Sequence, residues 1–170
     1  MRKLLIAATL FVATQLNAQI KTPQASLKAE VEQMVGLTDI DINYFRPAKK
    51  GRLVFGDLVP YGKLWRTGAN QNTTVEIHTD IEINGNALPA GKYALYTLPK
   101  AESWDVIFYK TTDNWGLPQE WNDSNVVLKT SVKPETLNKD VEYFTIHVTP
   151  QNNEQGTIDI SWEKTIVHIP

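Results

Sequence analysis

From about residue 26 onward the chain repeats with a period of two, and no stretch sustains the three-to-four spacing of an amphipathic helix. Ile40, Ile42 and Tyr44 alternate with Asp39, Asp41 and Asn43, and Val75 and Ile77 alternate with Thr74, Glu76 and His78. Near the C-terminus Ile158, Ile160 and Trp162 alternate with Asp159, Ser161 and Glu163. One buried and one wet face on so short a period belong to antiparallel strands. Asn84-Gly85, set between two short apolar runs, supplies the positive φ of a tight hairpin. Residues 88–99 read as a strand that enters through Pro89 and Gly91 and ends at Pro99; residues 103–110, 125–133, 141–149 and 156–163 read as further strands, and 165–169 as a last short one. The pattern predicts an all-β fold, an antiparallel β-sandwich of about nine or ten strands with two long irregular loops. A closed or partly open β-barrel is the alternative.

Residues 1–18 have the order of a secretory signal peptide: Arg2 and Lys3, an apolar run from Leu4 to Val12, then a polar stretch closing on Ala18. The apolar run is about half of the ~20 residues a spanning helix needs, so the expectation is cleavage and a secreted or periplasmic protein without a membrane span. Residues 19–170 then form a single domain, large enough to bury a core. The chain has no cysteine, so disulfides, thiolate metal sites and cysteine nucleophiles are excluded and packing must supply the stability.

Charge is uneven. Between Arg46 and Asn70 stand Arg46, Lys49, Lys50, Arg52, Lys63 and Arg66 against Asp57 alone, although the whole chain carries a formal charge of −2. A basic island on an acidic body suits a local anionic partner, whereas nucleic acid calls for a broader basic face. The island coincides with the first of two interruptions in the strand rhythm, residues 46–70; the second is 111–125, "TTDNWGLPQEWNDSN". Long connections without regular structure are often functional.

In the order "RPAKKGR", "VFGDLVPYGKLWRTGAN", "LPAGKYALYTLP", "WDVIFYK", "NWG" and "ISWE", the chain resembles the secreted family known as domain of unknown function 2911 over nearly all of residues 19–170. The resemblance implies export and a largely β fold, and carries no activity, cofactor or catalytic residue. The family usually has Tyr-Ser-Arg-Pro where this chain has "YFRP", so Phe45 replaces a small hydroxyl residue.

Within "PYGKLWRTGAN", Gly62 and Gly68 permit backbone shapes that hold neighbouring side chains in place. Arg66 offers a planar fork for a carboxylate, phosphate or sulfate, with Asn70 and Arg52 beside it, and Trp65 and Tyr61 offer flat apolar contact. The competing reading has Trp65 filling the core and Arg66 paired internally with Asp41 or Glu163. In the second interruption, Trp115 and Trp121 among Asp113, Asn114, Glu120, Asn122 and Asp123 suit a saccharide face, or else form a lid. His78, His147 and His168 lack ligand spacing, and Asp113, Asn114 and Asp123 lack the twelve-residue calcium pattern, so no metal and no cofactor is expected.

The function expected is thus an exported, non-catalytic module binding a small anionic or saccharide ligand through Arg52, Tyr61, Trp65, Arg66, Asn70, Trp115 and Trp121. The alternatives are a glycan-processing enzyme using loop carboxylates such as Glu120 and Asp123, and a structural or interaction protein of the cell envelope.

Overall fold

A computed structural model describes residues 22–170; the expected signal peptide, residues 1–18, lies outside them. Ten strands follow in chain order: β1 (Leu27–Val35), β2 (Thr38–Arg46), β3 (Thr73–Ile77), β4 (Ile81–Ile83), β5 (Asn86–Leu88), β6 (Gly91–Pro99), β7 (Trp104–Tyr109), β8 (Val126–Val132), β9 (Pro134–Pro150) and β10 (Gly156–Ile169). Six of them form one antiparallel sheet in the order β1-β2-β3-β6-β7-β8. The long β9–β10 ribbon makes the second layer of the sandwich, with β9 lying against β1 and β2 and β10 against β8. The layers do not close into a barrel.

The alternating segments bury the face the sequence predicts. Ile40, Ile42, Tyr44, Val75, Ile77, Ile158, Ile160 and Trp162 all lie in the core between the layers. Tyr44 also bonds across it, its hydroxyl accepting from Ile146 N (3.1 Å) and donating to Ile146 O (3.3 Å). Asn84 and Gly85 take φ of 50° and 72° at the β4–β5 turn, the two positive values a type I′ hairpin requires. Residues 165–169, expected as a separate strand, instead continue β10 and pair with the start of β9. An irregularity at Glu163, whose φ is 54°, lets the long strand change register without ending.

The first irregular segment joins β2 to β3 by way of the open end of the sandwich. It is fastened to β9 by Phe144 N→Pro47 O (2.9 Å) and Lys49 N→Glu142 O (2.8 Å), and to β6 by Trp65 N→Thr97 O (2.8 Å) and Thr97 N→Trp65 O (2.9 Å). Val54, Phe55, Val59 and Trp65 then enter the core from this end. The Trp65 indole is 8% exposed, stacks on Trp162 at 6.0 Å, meets Phe55, Trp104 and Phe144 edge-on, and donates from Nε1 to Gly68 O (3.0 Å). Gly68 is required there: its φ is 153°, and a Cβ would meet Phe45 O and Thr73 Oγ1 at 3.1 Å each.

On the outer face of the sheet Asp105 joins β7 to its neighbours through Lys100 (3.2 Å), Lys129 (3.2 Å) and Ser131 Oγ (3.2 Å). Burial alone would raise its pKa, but hydrogen bonds from Lys129 and Lys100, with their charge, outweigh that and hold it below the usual carboxylate value.

Two outcomes follow. Trp65→Ala should cost about 3–5 kcal/mol of unfolding free energy, while Trp115→Ala stays within about 0.5 kcal/mol, both read from urea midpoints by far-UV circular dichroism. Because folded Asp105 holds its proton less tightly than the unfolded chain does, its contribution is complete above the unfolded value of 3.8 and fades as pH falls through the lower folded value. Asp105→Ala should therefore lower the midpoint at pH 7 and do so much less at pH about 3.

Candidate functional site

The pairing of Trp65 with Thr97 sets the alternation of the whole loop. Thr97 and Trp65 face the core, so Arg66 faces the opposite side of the sheet, as Leu64 does where it packs against Tyr96 and Tyr109. Asn72 reaches the same outer side by the period of β3, in which Thr73 and Val75 are buried in the core. Thr73 N donates to Arg66 O (3.3 Å), which ties the loop at Arg66 to the first residue of β3. Between them the backbone is strained: Thr67 and Asn70 take φ of 54° and 57°. For a β-branched residue such a value costs on the order of 1–3 kcal/mol. The surroundings hold it there, since buried Thr67 bonds Thr97 Oγ1 (3.1 Å) and its carbonyl accepts from Thr73 Oγ1 (2.5 Å).

The second irregular segment covers this outer face. Trp121 stacks on Tyr109 at 4.5 Å and meets Tyr96 edge-on at 5.7 Å, while Asn122 N and Asn125 Nδ2 donate to Tyr109 Oη (3.2 and 3.4 Å). Asn114 O accepts from Asn72 N (3.2 Å), and Asn114 Nδ2 reaches Tyr96 Oη and Thr111 O at 3.5 Å each. Gly116 lies against the guanidinium of Arg66, whose Nη1 would be 3.7 Å from a Cβ there. The two interruptions, about forty residues apart in sequence, thus meet over one patch of sheet.

Three buried polar atoms in this patch are without partners among the described residues. Arg66 is half-buried, forms no side-chain hydrogen bond or ion pair among the described residues, and has its Nε buried and unsatisfied. Burial pushes its pKa down. Asn72 is 4% exposed, and both its Nδ2 and its Oδ1 lack partners. It lines a cavity of about 190 Å³ together with Asn43, Thr74, Asn114, Asp113 and Lys28. Tyr96 is fully buried beside them, and burial raises its pKa, with Asn114 partly offsetting the rise. Unpartnered buried polar atoms are uncommon and costly, and two of the three, both on Asn72, belong to a residue that lines the cavity.

The seven residues singled out in the sequence do not form one site. Trp65 belongs to the core. Arg52 is spent on its own loop, with Nε on Lys49 O (2.8 Å) and Nη2 on Ala48 O (2.7 Å). Tyr61 is exposed and its ring lies over Gly56. Asn70 donates to Gln24 Oε1 (2.9 Å) and so ties down the segment before β1. Arg66, against Gly116, and Trp121, on Tyr109 and Tyr96, both lie on the outer face, and Trp115, 67% exposed, stands between Asn114 and Gly116 at its margin. The internal partners expected for Arg66 are taken elsewhere: Asp41 pairs with His78 (2.9 Å), and Glu163 accepts from Val54 N (3.3 Å). The basic island is likewise largely consumed, with Arg46 on Phe144 O (3.1 Å) and Thr145 Oγ1 (2.8 Å), and Lys49 on Asp140. Glu120 and Asp123 are exposed, and Asp123 accepts from Trp121 Nε1 (2.8 Å). Among the described residues, no three His, Asp or Glu side chains gather so as to hold a metal ion.

Asn72 was not singled out in the sequence, although continuing the alternation of Thr74 and Glu76 one step back would have put it on the outer face. What no pattern carried was that its amide lacks partners.

The family model described as "Protein of unknown function (DUF2911)" matches residues 26–170. No curated protein and no solved structure matches the chain.

Asn72→Leu, which keeps the approximate shape and removes both unpartnered atoms, should leave the protein equally stable or raise its stability by about 1 kcal/mol in urea titration. A loss of that size would show that the amide supports the fold.

Proposed function

The chain belongs to the DUF2911 family, and from that premise we propose that the protein is a non-catalytic module that holds a small anionic or saccharide ligand on the outer face of its six-stranded sheet. The observation that carries the reading is Arg66: a half-buried guanidinium that meets no carboxylate and no carbonyl among the described residues, on the same face of the sheet as the buried amide of Asn72, which is also without partners among them. A charge withdrawn from water is costly unless something compensates it. A bound anion would compensate it, and Asn72 and Asn114 add neutral donors and acceptors. Trp115 and Trp121 add flat apolar surface of the kind that sugar rings and other small ligands cover. The module would act outside the cytoplasm, a reading supported by the charged-then-apolar order of residues 2–12.

The test is thermal unfolding of the purified protein against a panel of small anions and saccharides. A ligand present at 100 times its Kd stabilises the native state by about 2.7 kcal/mol, which for a domain of this size raises Tm by roughly 5–10 °C. Arg66→Ala should abolish that rise while leaving the far-UV spectrum unchanged. A panel in which no compound moves Tm overturns the reading.

A further inference from the structure

The cavity lined by Asn72 has a chemistry of its own, separate from that of Arg66. Resting on the binding-module reading and choosing between its two ligand classes, we infer that this cavity is a subsite for one uncharged sugar ring, held through neighbouring hydroxyls.

The lining comes together from three places. Asn43 and Thr74 are directly paired across β2 and β3, so their side chains leave the sheet side by side on its outer face. Gln71 and Asn72 come from the link into β3, and Thr112 and Asn114 from the second irregular segment. Six of the ten lining residues are thus Asn, Gln or Thr, uncharged side chains that both donate and accept. Phe45, two residues along β2 from Asn43, adds apolar surface of the kind that the C–H face of a ring covers.

Charge argues the same way. Lys28, the cation of the lining, is paired with Glu30, and Asp113 is the lining's other charged member. A carboxylate or phosphate entering here meets Asp113 and finds the cation already matched. A neutral ligand meets neither difficulty.

Asn72 sets the geometry. Its Oδ1 needs a donor and its Nδ2 an acceptor, and the two stand side by side on one amide. A carboxylate only accepts and an ammonium only donates, whereas two hydroxyls on adjacent ring carbons do both. Both Asn72 atoms are closed to solvent, so admitting the ring requires a neighbouring side chain to turn. Asn114 is held for such a movement: its backbone is fixed by Asn72 N (3.2 Å), but its Nδ2 reaches Tyr96 Oη and Thr111 O only at 3.5 Å, the long limit of a hydrogen bond. Size limits the rest. About 190 Å³ equals roughly six water volumes at ~30 Å³ each, room for a single ring and not for a chain of them.

Isothermal titration of the purified protein with glucose, galactose, mannose, xylose, acetate, inorganic phosphate and propionamide tests this. At least one of the four sugars should bind, at least tenfold more tightly than acetate and phosphate, which only accept, and than propionamide, which matches the Asn72 amide alone. Its affinity should change less than twofold between about 50 and about 500 mM sodium chloride, because no charge is matched on binding. Asn72→Leu should weaken sugar binding at least tenfold. Thr74→Val, which replaces one lining hydroxyl by a methyl within a strand, should weaken it severalfold, and this arm decides if Asn72→Leu does not fold. Sugar binding unchanged in folded Asn72→Leu overturns the inference. Binding lost in Asn72→Leu but kept in Arg66→Ala supports the inference and overturns the part given to Arg66; loss in both supports both. Acetate or phosphate binding as tightly as the sugars and lost in Arg66→Ala overturns the inference while leaving the binding-module reading in place, and propionamide binding as tightly overturns the inference as well. Silence from these seven and from the wider panel overturns both.

Discussion

The backbone pairing between Trp65 and Thr97 is the constraint from which the rest of the molecule follows. β3 ends its contact with β6 at Thr73–Leu95, and Trp65 takes over the vacated edge of β6 one pleat further on. Once that bond pair forms, the side chains of the loop have no choice of face. Trp65 must enter the core, where it joins Phe55, Trp104, Phe144 and Trp162 and brings both layers and the loop into one aromatic contact. Arg66 must leave on the other side. A segment without a regular strand thus acquires the period of a strand for a few residues, and this period separates the scaffold from the candidate site.

Legibility follows the same line. The alternation in β2, β3 and β10 and the Asn-Gly turn were readable because each reports a local rule: one face buried, two positive φ values. The seventeen-residue length of β9 was not, since its first half is mostly exposed and carries no apolar rhythm to read. In the loop, adjacency in sequence suggested that Trp65 and Arg66 would act together. The extended backbone sends neighbours to opposite faces, so the most conspicuous pair in the chain is divided between core and surface. Arg52 and Asn70 were chosen for chemistry that the loop needs for its own closure. A donor-rich side chain beside unpaired carbonyls is first a structural resource, and sequence does not disclose which carbonyls are unpaired.

The outer face carries the costs that the inner face does not. Around the core, polar atoms are matched: Tyr44 spans the layers with both hydroxyl bonds made, Trp162 donates to Glu142 O (3.1 Å), and Thr67 bonds Thr97. Across the sheet, Arg66, next to that same Thr67, has no side-chain partner among the described residues, and Asn72 has none for its amide. Left-handed backbone at Thr67 and Asn70 adds strain in the same few residues. A fold selected for stability alone would relieve such costs, because an apolar residue at position 72 and a carboxylate opposite Arg66 are small changes.

The other arginines provide the comparison that makes this more than an oversight of packing. Arg46, which ends β2, and Arg52, in the loop that follows, are each satisfied by groups between 2.7 and 3.1 Å away: carbonyls for Arg52, a carbonyl and a hydroxyl for Arg46. Both serve closure of the loop against itself or against β9. Arg66, covered by a second loop, meets Gly116 where those two meet oxygen. Gly116 lies against Nη1 of that guanidinium, and Trp115 next to it stays exposed. Among the described residues the loop's closure satisfies Arg46 and Arg52, whereas Arg66 is enclosed without a side-chain partner, and a cost of that kind at one arginine beside two satisfied ones is what the proposed ligand would offset.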